Sequence, residues 1–225
     1  MTDLRLVIFD VDGTLVDSQA DILAAMGGAF AAVNRPAPDR GAILGIVGLS
    51  LPQAMVALAP DLEADRRAVM VEAYKDAYFD LRAKAGAAES SPLYPGVRDV
   101  LERLHAHPET LLGVATGKSR RGLDKLIEGH GLEHLFVTRH CADDHPSKPH
   151  PAMVQAALAD TGLDPHRAVM VGDTSFDMEM GAAAGVVPVG VAWGYHPAER
   201  LNAAHTVIET IEALPPLLDT IWEDA

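Results

Sequence analysis

The sequence predicts an α/β protein: a Rossmann-like doubly wound parallel sheet core with an inserted all-α helical cap domain. Three observations lead there. Apolar runs of strand length recur along the chain, and most are followed by segments with helical spacing. The runs are continuous rather than alternating, as expected for strands buried on both faces of a parallel sheet. One long stretch near the start carries helical pattern only. Alternating strands and helices build a doubly wound sheet, which binds ligands beyond the carboxyl ends of its strands.

The first strand is expected at Leu4–Phe9. From Ser18 to about Ala88 the chain reads as helices alone. Ser18 followed by Asp21 is one expected N-cap. Ser50-Leu51-Pro52-Gln53 is a stronger one, with Ser at the cap, Pro in the first turn and Gln three residues on. Asp61 to Lys84 is a long, charged, alanine-rich helix. After Gly86 and the turn-rich Glu89–Pro92, Pro95-Gly96 opens a helix whose Val97, Val100, Leu101 and Leu104 share one face. Further strands are expected at Leu111–Ala115, Leu135–Thr138, Ala168–Val171, Val186–Val191 and Thr206–Ile208. Phe176, Met180, Ala183 and Ala184 mark the helix between the fourth and fifth of all the strands. The expected division is therefore a core of residues 1–15 and 90–225 and a cap of residues 16–89.

Length and composition bound the function. The 225 residues are 48% hydrophobic and 22% charged, the balance of a protein with a real core. The net charge of −14 opposes nucleic acid, and no apolar run reaches the ~20 residues of a bilayer span. Any anionic substrate must be met locally, by a metal ion or a few placed cations. Cys141 is the single cysteine, so no internal disulfide forms. The first residues run into the first strand without a signal or transit peptide, and the expected location is cytoplasmic. Oligomeric state is not readable.

The chemistry-bearing residues gather at strand ends. The first strand closes with Phe9-Asp10-Val11-Asp12-Gly13-Thr14. Side chains two apart in extended chain point alike, and two carboxylates so placed need a cation, a proton or a division of labour. Alone, the segment fits an Asp-Gly turn as well as a site. The second strand closes with Thr116-Gly117-Lys118, a hydroxyl and amides able to meet an anion, though a cap or turn explains them equally. Lys148, between Ser147 and Pro149, is either a solvated charge or a phosphate clamp. The fourth strand closes with Gly172-Asp173, and Asp177 falls in the next helix's first turn, where it also suits the macrodipole. Four carboxylates at two strand ends form an oxygen-rich set suited to Mg²⁺.

Those motifs, in that order and with a helical insert after the first, resemble the haloacid dehalogenase-like superfamily. The insert resembles its type 1 cap, and the closest branch in pattern is the phosphoglycolate phosphatase-like one. The resemblance implies a Mg²⁺-dependent phosphatase acting on a small phosphorylated metabolite, 2-phosphoglycolate first among them. It implies Asp10 as nucleophile and Asp12 as the acid and then the base, with its carbonyl on the metal. Thr116, Gly117 and Lys148 would bind the phosphoryl oxygens, and Asp10, Asp12, Asp173 and Asp177 would form the metal site. Asp12–Thr14 would be a flexible turn, and Gly45–Ser50 the specificity loop. A sugar phosphomutase of the β-phosphoglucomutase type is the alternative, since it shares the core motifs. A non-catalytic binding module has no use for the acid at Asp12. A dehalogenase lacks that acid, and the late Lys75 and Lys84 do not suit a phosphonatase. His140, Cys141, His145 and His150 match no zinc spacing and read as a surface loop. Met170, Met178 and Met180 read as core, and Trp193-Gly194-Tyr195 as packing.

Overall fold

A computed structural model describes residues 4–223; the first three and last two residues of the expected core lie outside them. Six parallel strands form one sheet: β1 (Arg5–Phe9), β2 (Thr110–Thr116), β3 (Phe136–Cys141), β4 (Ala168–Gly172), β5 (Val187–Val191) and β6 (Thr206–Ile208). Their order is β3-β2-β1-β4-β5-β6. β1 has both edges paired, between β2 and β4, with Phe9 opposite Val114 on one side and Val171 on the other, and its two faces lie in the two core layers. The winding direction reverses between β1 and β4, so the crevice beyond their carboxyl ends is where this architecture binds ligands. β2 and β3 each run past their predicted ends, because the parallel ladder carries Thr116 into register with Cys141.

Helices cover both faces of the sheet. Six of them, α1 (Gln19–Ala31), α2 (Arg40–Leu44), α3 (Leu51–Leu58), α4 (Ala64–Ala85), α5 (Ala87–Ser90) and α6 (Val97–His105), come between β1 and β2, the first five making up the insert. They are followed by α7 (Arg120–His130), α8 (Ala152–Thr161), α9 (Ser175–Ala184) and α10 (Leu214–Glu223). One face of the sheet packs Phe9, Val114 and Val171 against Leu101, Leu123 and Leu218. The other packs Leu6, Ile8 and Met170 against Met153, Ala157 and Met180. The helical insert has its own apolar cluster, built from Ile22, Met26, Phe30, Met55 and Met70. Two neighbouring segments join it to the sheet: the Tyr94 amide donates to the Leu15 carbonyl at 3.0 Å, and Asp17 to Pro92 at 2.9 Å.

Two expected caps differ from the structure. Ser18 and Ser50 stand at the N-cap positions of α1 and α3, yet neither side chain caps its helix. A capping box at Ser50 needs its backbone N–H for Gln53, and that N–H instead donates to the Ser147 hydroxyl at 2.8 Å. The Ser18 hydroxyl is drawn to Asp12. Among the described residues no helix is long and apolar enough to cross a membrane.

Candidate active site

The site is assembled where β1 and β4 stop. Asp10 follows β1 and keeps its ladder bond, N–H to the Val171 carbonyl at 2.9 Å, so its side chain is fixed by the sheet. Asp173 follows β4, and Asp177 sits in the first turn of α9. One oxygen from each of these buried carboxylates lies within 4.8 Å of the others. Thr174 and Asp177 also form a capping box, the Asp177 carboxylate accepting from the Thr174 amide at 3.0 Å and hydroxyl at 2.7 Å. One Asp177 oxygen thus caps α9 while the other faces Lys148.

Lys148 arrives from the loop before α8, fully buried, and donates to Asp10 Oδ1 at 2.5 Å and Asp177 Oδ1 at 2.6 Å. One ammonium among three carboxylates leaves two charges unanswered. Burial pushes the Asp10 carboxyl up to about 7 and, although Lys148 opposes the shift, Asp177 and Asp12 add to it. Burial and then Asp10 likewise hold Asp173 well above the usual carboxylate range. Burial disfavours the Lys148 charge, but Asp10 and Asp177 outweigh it, so the ammonium stays protonated. Asp10 Oδ2 is buried and has no hydrogen-bond partner. An orphaned oxygen in a cluster of hard donors fits a divalent cation.

Asp12 goes elsewhere. The chain leaves the sheet after Asp10, so the period of two no longer applies and the two carboxylates diverge. Lys118 donates to both Asp12 oxygens, at 2.5 and 2.7 Å, and the Ser18 hydroxyl donates to one of them. Burial raises the Asp12 carboxyl, but Lys118 outweighs it and holds the group below its ordinary value. The carboxylate of Asp12 is not in the acidic trio. The expected flexible turn is pinned: Gly13 N–H bonds Val16 O at 2.9 Å, and Leu15 N–H bonds Val11 O at 2.9 Å. Gly13 has φ +88°, and a Cβ there would strike the Asp173 carboxylate, so only glycine fits.

Thr116 is buried at the end of β2, and its oxygen accepts from the Lys118 amide at 3.2 Å, leaving the O–H to donate. Gly117 lies beneath the loop of residues 45–50; a Cβ on it would stand 2.5 Å from the Gly48 carbonyl oxygen and 2.8 Å from that of Leu49. His196 ties the same loop to the core. Its Nδ1 accepts from the Ser175 amide at 3.1 Å, so Nε2 carries the proton and donates to the Gly45 carbonyl at 3.1 Å. Burial, with Arg200, keeps this ring below its usual range and neutral.

The sequence reading missed several of these residues. Lys118 has no role in the sequence pattern, although a charge two residues past a buried strand's end is a signal. Trp193-Gly194-Tyr195, read as packing, belongs to the site wall. The Tyr195 amide donates to Asp173 Oδ2 at 2.7 Å, its hydroxyl accepts from the Ser18 amide at 3.0 Å, and Trp193 Nε1 donates to Thr14 O at 3.1 Å. A Cβ on Gly194 would overlap Asp173, which explains the glycine. His140 lies 3.0 Å from His145 and 3.0 Å from Asp160, while His150 accepts from the Ala152 amide. They do not converge on a metal; the one such cluster among the described residues is Asp10, Asp173 and Asp177.

A parallel sheet of this order, with buried carboxylates and a lysine at its switch point and a helical insert above them, defines a doubly wound α/β scaffold whose site lies beneath an all-α insert. The model of the haloacid dehalogenase-like hydrolase family matches residues 7–191, and the chain belongs to that family. It is 37% identical over 202 residues to the probable phosphatase IndB of Dickeya dadantii, covering 88% of this chain and 86% of the relative. It is 34% identical over 199 residues to the pyrophosphatase PpaX of Bacillus pumilus, covering 88% of each. The crystal structure of a predicted phosphoglycolate phosphatase from Haemophilus somnus superposes with a TM-score of 0.81 at 26% identity, over 96% of this chain and 99% of that one.

Proposed function

We propose that the chain is a Mg²⁺-dependent phosphomonoesterase that works through a phosphorylated Asp10. The observation that carries the reading is the buried cluster of Asp10, Asp173 and Asp177 on Lys148, next to a separately held Asp12. All three names among the relatives above describe phosphate-ester or phosphoanhydride hydrolysis. Residues 1–15 and 90–225 form the catalytic core in this reading, and 16–89 the cap that closes over it.

Asp10, Asp173 and Asp177, with the backbone carbonyl of Asp12, would hold the metal. When bound, it supplies the positive charge that lets a carboxylate approach a phosphate. One carboxylate oxygen of Asp10 forms the bond to phosphorus as the ester P–O bond breaks, the other being left to the metal. The departing alkoxide takes its proton from Asp12. Water then attacks the phosphoryl group and gives its proton back to Asp12, releasing inorganic phosphate and restoring the Asp10 carboxylate. Lys148 orients Asp10 throughout. The Thr116 hydroxyl, the Gly117 amide and Lys148 meet the phosphoryl oxygens where transition-state charge spreads. Lys118 keeps Asp12 ionised, the state that activates water; the acid state needs Lys118 drawn away by the bound substrate.

The test is phosphate release from a panel of phosphomonoesters, including 2-phosphoglycolate and p-nitrophenyl phosphate, with Mg²⁺ and with chelator. Release should require Mg²⁺, vanish in Asp10→Asn and fall steeply in Asp12→Asn. Near-normal activity in either variant overturns the mechanism. Isomerisation of a hexose 1-phosphate without phosphate release would replace hydrolysis by phosphoryl transfer between sugars.

A further inference from the structure

We propose, resting on the phosphatase reading, that Arg82 receives a second anionic group of the substrate, a carboxylate or a phosphate carried by the leaving group. It thereby selects phosphomonoesters that bring one. Arg82 lines the cleft above Asp10 and Asp12. Its Nη1 donates to the Gly122 carbonyl at 3.0 Å, while Nε and Nη2 are buried with no hydrogen-bond partner. Those two nitrogens share one edge of the planar guanidinium, the edge that meets two oxygens of a carboxylate or phosphate side by side. Buried charged donors left unmatched are costly, and one oxyanion answers both. Arg82 stands on α4 of the cap and Gly122 on α7 of the core. Parting cap from core therefore uncovers this edge, and closure brings it onto an anion lying in the cleft.

The charges around Arg82 point the same way. The chain has a net charge of −14, yet five of its 18 lysines and arginines line this cleft: Lys75, Arg82, Lys118, Arg121 and Lys125. Lys75 and Lys125 pair with Glu72 and Glu128 at 2.7 Å, but both partners of each pair are more than half exposed. Such pairs are weak and yield readily to another anion. The Arg121 guanidinium lies 4.4 Å over the Phe79 ring, a contact that uses its face and not its N–H edges. These outer cations draw anions to the cleft, and Arg82 fixes the second one. Its place is close to the chemistry: Arg82 Cζ and Lys118 Nζ lie 5.3 and 5.2 Å from the centre of the same Tyr78 ring, and Lys118 holds Asp12. Val47, Leu51 and Val71 supply apolar wall nearby, where an unpaired anion gains nothing.

The experiment compares matched esters with Mg²⁺ present: 2-phosphoglycolate against 2-hydroxyethyl phosphate, and 1,3-propanediol bisphosphate against 3-hydroxypropyl phosphate. Within each pair the second anion replaces a neutral hydroxyl group, so the ratio of kcat/KM reads that anion. At least one pair should favour its anionic member about tenfold or more, and which pair does so tells carboxylate from phosphate. Arg82→Met should lower that ratio about tenfold; Arg82→Lys, which keeps the charge without the fork, should fall between. A merely structural tie to Gly122 would slow both members alike and leave the ratio unmoved. Lys125→Met removes an equal charge from an exposed position and should move the ratio less. Calorimetric binding of the same esters to Asp10→Asn, with and without Arg82→Met, separates recognition from turnover. An Arg82-dependent preference in binding, without hydrolysis by the unaltered protein, would remove the phosphatase reading and keep the Arg82 assignment. Hydrolysis with no preference in either pair, a ratio indifferent to both Arg82 variants, or an equal shift from Lys125→Met would overturn the assignment while leaving hydrolysis intact.

Discussion

Replacing Asp10 by Asn should stabilise the metal-free protein at alkaline pH while destroying its activity. The carboxyl of Asp10 is raised from its ordinary 3.8 to about 7 by burial and by Asp177, against the opposing charge of Lys148. Between those two values the folded protein keeps a proton that the unfolded chain has already released. Stability from this group is therefore lost as pH rises through that window and is lowest once pH passes about 7. From pH 5 to pH 8 the window spans about two units, worth about 3 kcal/mol at 1.36 kcal/mol per unit. Asn keeps an oxygen for Lys148 and never ionises, so the gap between variant and parent should widen by about that much over this pH range. For a chain of this length that corresponds to roughly 6–12 °C in unfolding midpoint. Urea unfolding in chelator at pH 5 and pH 8 measures it. An unchanged gap, or an Asn variant less stable at pH 8, would refute the electrostatic account of the cluster.

Three further perturbations test neighbouring parts. Lys148→Met removes the ammonium at 2.5 and 2.6 Å from two buried carboxylates, and should cost about 3–5 kcal/mol at pH 8 in chelator. Chemical denaturation should show the loss shrinking at pH 5, where the carboxyls can protonate. Lys118→Met releases Asp12 from the charge that holds it low, so the acidic limb of the kcat profile should move to higher pH; an unmoved limb would separate Asp12 from the titration. Gly117→Ala drives a Cβ towards the Gly48 and Leu49 carbonyls. It should raise KM about tenfold or more with little change in thermal midpoint, because the loop, and not the sheet, must give.

Much of the fold was legible because it is written locally. Continuous apolar strands and helical spacing between them describe a sheet covered on both faces, and the observed order β3-β2-β1-β4-β5-β6 is that of a doubly wound sheet. Asp10, Thr116 and Asp173 stand at strand ends and Asp177 in the first turn of a helix, positions that sequence marks well. The partners were not legible. Lys118 and Asp12 are 106 residues apart, and Ser18 and Tyr195 are 177 apart. Ser18 and Ser50 carry good local cap patterns, yet tertiary partners claim the groups a cap would use. Gly194 looked like packing because its reason, the Asp173 side chain against its α-carbon, comes from another strand. Local rules find the elements and the residues at their ends; which of those ends compete for the same partner is decided only when the sheet closes.

The count of charges explains why Lys148 cannot serve this site alone. Three carboxylates and one ammonium leave an excess of two negative charges within a few ångströms. A phosphomonoester brings up to two more, and each like-charged pair costs about 4 kcal/mol at 4 Å with an effective dielectric of about 20. Among the described residues no other cation pairs with the trio, and Lys118 is committed to Asp12. A divalent ion would answer that excess once the cluster is ionised, where otherwise protons on Asp10 and Asp173 must. Mg²⁺ titrated into chelator-treated protein at pH 8 should raise the unfolding free energy by about 2.7 kcal/mol at a hundred times its dissociation constant. Asp173→Asn keeps the shape and removes one of the excess charges, so its gain at the same Mg²⁺ concentration should be smaller. An equal gain in that variant would mean that the ion binds away from β1 and β4, and the charge argument would fail with it.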